Sequence, residues 1–419
     1  MTVAAFILML SSFISISFVC KKETAQSSKY ETRGVWVTRW DYTTKTKSTD
    51  PDIQKAEIRR LFKIAKDSNL NSLFFQVRGQ FDAYYNSNYE PWAETLTDTL
   101  GVYPGWDPLE FAIEQSREME LQLHAWVNIF SLWKGKSPPA SSDPVHAYHS
   151  NPEWVVADTY GVPMKLRDHY IYANPGNPEV RKHLLNVVLD IVNNYDIDGI
   201  HFDYIRYPEN SNNLGYSRDS ISVSQFNSYE GNPDSLQWED WQRRNVHLFV
   251  KRVKDSVSIV KPNIAISAAV LGKYKSQGWN GYNVVYQDAV PWIEKGWLDF
   301  IVPMTYSRRK SESSSFTKLI HNWNKRTGKP NSILAGIAVY RAEGENGWGW
   351  KEIAYQINDV RKERIGGMVF FNVTALESDW NIVQKNYFSD SALPQPIIRQ
   401  KVSEDLTSVQ TKYSVQSLE

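Results

Sequence analysis

Between Glu31 and Phe388 the chain alternates short apolar runs with longer stretches whose apolar residues recur at helical spacing. Eight runs read as strands: GVWVTRW (34–40), SLFFQVR (72–78), LQLHAWVNIF (121–130), GIHFDYI (199–205), IAISAAVL (264–271), FIVPMTY (300–306), ILAGIAVY (333–340) and GMVFFNV (367–373). Amphipathic stretches follow them. Those at 107–120 and 177–195 open on Asp-Pro and Asn-Pro, a capping residue and then proline at the first helical position. Strand then helix, eight times over, predicts an α/β chain folded as a parallel (β/α)8, or TIM, barrel. Helix-to-strand segments are short (119–121, 195–198, 261–263, 296–299, 364–367). Strand-to-helix segments are long (79–106, 131–174, 207–236, 272–289). In such a barrel the long loops all emerge at the C-terminal face, so the extra mass gathers where active sites form.

Strand side chains alternate between two faces. In the third run Leu123, Ala125, Val127 and Ile129 fall on the helix side, and His124, Trp126 and Asn128 point into the barrel. In the fourth, Ile200 and Phe202 point out, and His201 and Asp203 point in. In the second, Phe75 and Val77 point out, and Gln76 and Arg78 point in. Inward polar groups are costly unless paired or solvated at the mouth. The densest expected polar set is therefore Arg78, His124, Asn128, His201 and Asp203, with Asp82 just beyond the second strand. Arg78 and Asp203 also have the chemistry of a purely structural ion pair.

The ends of the chain differ from this middle. Residues 1–19 form an apolar run that closes on Cys20, the only cysteine. A lone cysteine ending a signal-like segment is the acceptor position of a bacterial lipoprotein. Acyl chains on Cys20 would hold the protein at a membrane, with residues 21–30 as tether. A cleaved secretory signal and an uncleaved anchor are the other readings, and all three place residues 31–388 outside the cytoplasm. From 389 to 419 the chain turns polar and reads as a surface-hugging or disordered tail. The 47 basic residues balance 47 acidic ones, so no general attraction to nucleic acid is expected. One cysteine excludes an intrachain disulfide and a four-thiolate zinc site. The 16 Trp, 23 Tyr and 17 Phe are many; core and interface filling explains most of them, and flat aromatic faces also suit sugar rings.

Three blocks carry a family resemblance: QVRGQFDAYYNSNYEPWAETLT (76–97), GWDPLEFAIEQSREMELQLHAWVN (105–128) and NPGNPEVRKHLLNVVLDIVNNYDIDGIHFDYIRYP (174–208). With the opening TRGVWVTRW and the later WLDFIVPMTY, the chain resembles the glycosyl-hydrolase-like family 10 proteins from about Thr32 to Phe388. These are bacterial envelope barrels, often lipoproteins. The resemblance implies a glycoside hydrolase acting on an extracellular or cell-wall polysaccharide, with peptidoglycan glycan strands as the leading candidate. Asp203 matches the position where amylase-type barrels keep a carboxylate nucleophile. Against the chitinase pattern DGxDxDxE, Asp198 and Asp203 fit, but His201 and Ile205 stand where an Asp and the catalytic Glu would be. Family members reading DGIHFDDYFYP have one more Asp than DGIHFDYIRYP.

Glycoside hydrolysis generally uses two carboxyl groups, one protonated and one ionised. Asp203 is the expected nucleophile or base, held ionised by His201 and Arg78. Asp82 is the first choice of partner, ahead of Glu209, Asp288 and Glu343. Arg78, His124, Asn128 and His201 are expected to orient substrate. Tyr85, Trp92, Trp126, Tyr204, Tyr207 and Tyr306 are expected to stack on or contact sugars. No sequence feature calls for a cofactor or a metal, and no phosphate-binding glycine motif follows a strand. Two other functions remain open. One is a metal-dependent polysaccharide deacetylase or amidase ligated by His124, His201 and Asp203. The other is a non-catalytic glycan-binding barrel, suggested by the unsettled second carboxylate.

Overall fold

The computed structural model describes residues 29–209, 215–312, 314–343 and 346–397. The expected signal, Cys20 and most of the tether lie outside the described residues, as does the tail beyond 397. Among the described residues ten strands occur in chain order: β1 (Thr32–Val37), β2 (Ser72–Arg78), β3 (Gln122–Asn128), β4 (Ser131–Gly135), β5 (Arg167–Tyr172), β6 (Gly199–Asp203), β7 (Ala265–Leu271), β8 (Phe300–Met304), β9 (Leu334–Ile337) and β10 (Gly367–Phe370). Eight of them close a parallel barrel in the order β1-β2-β3-β6-β7-β8-β9-β10 and back to β1. All eight expected strands are present. The closed (β/α)8 barrel is the observed fold.

Helices separate successive barrel strands, and their ends follow local chemistry. Pro51–Asp67, Pro108–Glu118 and Pro178–Asn194 each start on proline, preceded by Asp50, Asp107 and Asn177. Each preceding side chain accepts a backbone N–H of the first turn, satisfying a donor that the helix itself leaves open. Among the described residues no helix is long and apolar enough to cross a membrane.

Strand alternation sorts the side chains as expected. Leu123, Ala125, Val127, Ile200 and Phe202 join the large apolar layer between barrel and helices. Trp36, Phe74, Trp126, Ala269, Val302, Leu334 and Val369 form a second apolar cluster. Phe74 and Trp126 belong to the inward sets of β2 and β3, which places this cluster inside the barrel. His124 lies low in it, stacked on Phe74 at 4.9 Å and edge-on to Phe300 at 5.7 Å. Its Nδ1 would lie 2.0 Å from a Cβ at Gly199, so glycine is what admits the ring there. Burial draws the His124 pKa down from 6.5 to about 4.

The hairpin β4–β5 was expected to be loop. It grows from the end of β3 and stands over one side of the mouth, pairing antiparallel from Ser131↔Tyr172 to Gly135↔Arg167. The opposite end of the barrel is covered by residues 389–397. Glu31 N–H donates to Leu393 O, and Leu393 N–H to Lys29 O. Asn71 Nδ2 donates to Ala392 O, and Gln395 N–H to Thr32 Oγ1. This part of the expected tail therefore hugs the barrel floor through hydrogen bonds. It encloses a cavity of about 160 Å³ that His124 and Asp198 help to line.

A buried ion pair fixes the long loop after β2. Arg78 Nε and Nη2 each donate to Glu90 at 2.7 Å, with both side chains almost fully buried. Arg78 Nη1 donates to the carbonyls of Asn128 and Ile129. His183 Nε2 lies 3.0 Å from Glu90, and its ring stacks on Phe81. Burial pushes the Glu90 pKa upward, but Arg78 and His183 outweigh it and hold the carboxyl down to about 2. The expected partnership of Arg78 with Asp203 is thus corrected. Its guanidinium is taken up by a glutamate twelve residues on and by two backbone carbonyls.

Two outcomes follow from these groups. An unfolded histidine takes a proton near pH 6.5 that folded His124 refuses until about pH 4. Its contribution to stability is complete above pH 6.5 and is lost as the pH falls towards 4, by about 3 kcal/mol in all. Denaturant titrations at pH 7 and pH 4.5 should show a smaller acid loss in His124→Leu than in the parent. An identical loss in both would show that His124 is not the group responsible. Glu90→Gln leaves the Arg78 charge buried without a counter-ion and should cost about 3–5 kcal/mol in the same titration. A change below about 1 kcal/mol would mean that the pair does not anchor the loop.

Candidate active site at the barrel mouth

Asp203 is the last residue of β6 and lies opposite Asn128 in the register with β3. Its Oδ1 accepts the Tyr204 N–H at 2.6 Å and Arg206 Nη1 at 3.0 Å. Its Oδ2 receives no donor from the described residues. Tyr204 has φ 52°, in the left-handed region that side chains seldom occupy. That turn brings Arg206 back, and its guanidinium lies 4.5 Å over the Tyr204 ring. Burial alone would lower the Arg206 pKa. Asp203, with Tyr172 and Tyr204 beside it, outweighs burial and keeps the guanidinium charged. Strand β5 supplies the wall on this side, with Tyr170 and Tyr172 packing on Tyr204 at 4.9 and 6.0 Å.

The other side of the mouth is aromatic. Tyr306, two residues beyond β8, meets Trp36 edge-on at 6.5 Å and Phe371 at 5.8 Å. Tyr340, beyond β9, packs on both Tyr306 and Phe371 and is 44% exposed. Beneath them Trp36 Nε1 donates to His201 Nε2 at 3.3 Å, and His201 Nδ1 lies 2.9 Å from Ser267 Oγ. The Trp36 donor assigns His201 the tautomer protonated at Nδ1. Burial, with His124 adding to it, holds the His201 pKa well below its usual value, so the ring is neutral. It supports Trp36 and does not act on Asp203 as a cation.

The loop after β2 brings the second carboxylate. Asp82 Oδ1 accepts the N–H groups of Gly79 and Gln80 at 3.2 and 2.9 Å. Arg39, just beyond β1, lies over Gly79, where a Cβ would sit 1.5 Å from its Nη1. Its Nη2 donates to the Tyr170 hydroxyl at 3.0 Å, and its plane covers Trp40 at 4.2 Å. Asn128 Nδ2 and Ser131 Oγ both donate to Gly79 O. A side pocket of about 200 Å³ opens here, lined by Arg39, Trp40, Asp82, Tyr84 and Lys134 among others. Burial pushes the Tyr170 hydroxyl pKa up and Arg39 opposes it, while both Asp82 and Asp203 act on it electrostatically. Tyr170 thus stands in the field of both carboxylates.

The structure joins Asp203 to Tyr204, puts Tyr306 at the end of a strand two away, and sets Asp82 and Asn128 on the Gly79 turn. Other expected contacts are corrected. His124 sits at the barrel floor. Tyr85 is fully buried against Tyr195 in the outer layer, and Tyr207 is buried beside Tyr286. Trp92 packs on Tyr103 on the outer side of the loop. Trp126 is inward but 5% exposed, a member of the barrel's inner apolar layer. Asp288 accepts the Tyr274 hydroxyl and pairs with His247, away from Asp203. His124, His201 and Asp203 do not form a ligand set, because His201 Nε2 is occupied by the Trp36 N–H and His124 lies below it. Among the described residues no group of three His, Cys, Asp or Glu is placed to hold a metal ion.

Arg39, Tyr170, Tyr172, Arg206, Tyr340 and Phe371 were not anticipated. The spacing of Arg206 three residues after Asp203 was a usable signal. So was the position of Tyr340 and Phe371 at the ends of their apolar runs. Tyr170 and Tyr172 gave none, because their hairpin lies inside a segment that reads as loop.

Comparison with known proteins agrees with the barrel fold. The chain is 26% identical over 385 residues to glycosyl hydrolase YngK of Bacillus subtilis, covering 87% of this chain and 72% of that one. It is 25% identical over 348 residues to glycosyl hydrolase DigH of Escherichia coli K12, covering 76% and 75%. Among solved structures, the glycoside hydrolase domain of PgaB (BpsB) from Bordetella bronchiseptica superposes with a TM-score of 0.56 at 12% identity. That match covers 84% of this chain and 98% of the domain, and it supports the barrel fold. A family profile described as Glycosyl hydrolase-like 10 matches residues 31–348, and the chain belongs to that family.

Proposed function

We propose that the barrel mouth hydrolyses glycosidic bonds of an extracellular polysaccharide, with the glycan strands of the cell wall as first candidate. The observation that carries this reading is the half-engaged carboxylate of Asp203. One oxygen is fixed by Arg206 and a backbone N–H, and the other is left open between two aromatic walls. Paired with Arg206, the carboxylate is placed to attack C1 or to activate the group that attacks it. Asp82 takes the acid role and gives its proton to the leaving oxygen. The two N–H groups on its Oδ1 fix its orientation and leave Oδ2 for that exchange. Tyr204, Tyr306 and Tyr340 supply faces and edges for pyranose rings, and Asn128 holds the Gly79 turn on which Asp82 depends. In the same reading, lipid on Cys20 tethers the enzyme at the cell envelope.

The test is reducing-end release from purified cell-wall glycan strands, with and without stem peptides, by the full chain in detergent. Asp203→Asn should lower the rate by about 10³-fold or more, and Asp82→Asn by about 10²-fold, with unchanged circular dichroism. Binding of strands with no release by the parent would replace this reading with that of a glycan-binding barrel.

A further inference from the structure

The loop after β2 does more than serve the mouth. Its outer part, the helix Pro108–Glu118 and the end of the helix Pro178–Asn194 line an open groove of about 1080 Å³ on the outer wall of the barrel. No residue lining it takes part in the mouth. One side of the groove is fixed. Asp107 Oδ1 caps the helix by accepting the N–H groups of Leu109 and Glu110. Its Oδ2 accepts the Tyr195 hydroxyl at 2.5 Å and the Asn86 N–H at 2.9 Å. Arg117 pairs with Asp196. These groups are taken up by the fold.

Other groups in the groove are not. Tyr103 rests on Trp92 at 5.4 Å, yet 60% of it is exposed. Trp106 is 5% exposed, and its Nε1–H has no acceptor among the described residues. A buried donor left open in this way is uncommon. The Lys55 ammonium stands over the Trp106 ring at 5.4 Å and has no carboxylate partner among the described residues. Glu110, Glu114 and Glu118 follow one another at four-residue spacing, on one face of the helix. None of the three makes an ion pair among the described residues. The groove therefore presents an exposed aromatic ring with open donors and open acceptors beside it.

A sugar answers this set. Each hydroxyl both gives and accepts a hydrogen bond, and the C–H face of the ring covers an aromatic side chain. A basic peptide would meet the glutamates but oppose Lys55. An acidic sugar would meet Lys55 but oppose three glutamates. We propose that the groove is a second, non-catalytic sugar-binding site, which takes pyranose units without acid groups and holds a polysaccharide strand along the barrel wall. The helix beside it has 11 residues and is about 16 Å long, which suits a strand better than a single ring. The inference goes beyond the hydrolase reading and does not depend on it, since a barrel that only bound glycans could carry the same groove.

The test uses the full chain in detergent with Asp203→Asn as background, so that nothing is cleaved. Oligomers of N-acetylglucosamine, uronic acid oligomers of equal length and oligolysine are titrated calorimetrically. Hydrogen exchange locates the site. The neutral oligomer should bind and protect residues 99–107, with little binding of the uronic acid. Tyr103→Ala should remove that protection and weaken binding there roughly 10-fold or more, with an unchanged Tm. Reversing charge at two exposed positions, Glu110→Lys with Glu114→Lys, should shift preference towards the uronic acid by about 10-fold or more. Sugar binding that leaves residues 99–107 unprotected would place all of it at the mouth and overturn the inference. Binding of oligolysine and of neither sugar would replace it with a peptide site. Reducing-end release is read separately, so either failure leaves the proposed hydrolysis as it stands.

Discussion

The bare Cα of Gly79 sets the geometry of the barrel mouth. Arg39 lies against it in space that no other residue would leave. Its carbonyl collects Asn128 and Ser131, and its N–H reaches Asp82. One residue therefore ties β1, β2, β3 and the first residue of the hairpin to a carboxylate. Asp82 is held by the backbone N–H groups of this turn, and the missing side chain at Gly79 leaves the room that Arg39 fills. The Arg78–Glu90 pair, one residue earlier, holds the rest of the loop against the same corner. These contacts exchange chain freedom for orientation, which is what the acid role proposed for Asp82 needs.

The two walls of the mouth have different origins. The aromatic side is made by barrel strands, since Trp36, Tyr306, Tyr340 and Phe371 lie on or just past β1, β8, β9 and β10. The tyrosine side is made by a hairpin that is no part of the barrel. Asp203 lies between them, on the strand that the hairpin leans against. The rigid half gives shape, and the inserted half brings phenols and, through Tyr170, the guanidinium of Arg39.

Much of the fold was legible because a parallel strand buried on both faces must be apolar, and a helix packed on it must repeat every 3.6 residues. Alternation also told inward from outward side chains: His201 and Asp203 do face in. It could not tell depth. His124 and Asn128 share a face, yet four residues separate barrel floor from mouth. Nor could it pair distant charges. Arg78 and Asp203 were both inward and of opposite sign, but Glu90 lay in a loop with no periodic signal and took the arginine. The hairpin was missed for a related reason. Its strands are short and exposed at one end, so their pattern is close to that of a loop.

The segment that closes the barrel floor has a consequence for how the molecule presents itself. Residues 389–397 run beside Lys29, Tyr30 and Glu31, so both ends of the described chain leave from the same end of the cylinder. The mouth is at the other end. A body held by its first residues would stand on its floor with the opening outermost, a barrel's height from the point of attachment. It would meet a polymer lying across the opening, and the same strap that seals the cavity beneath His124 would face the anchoring surface.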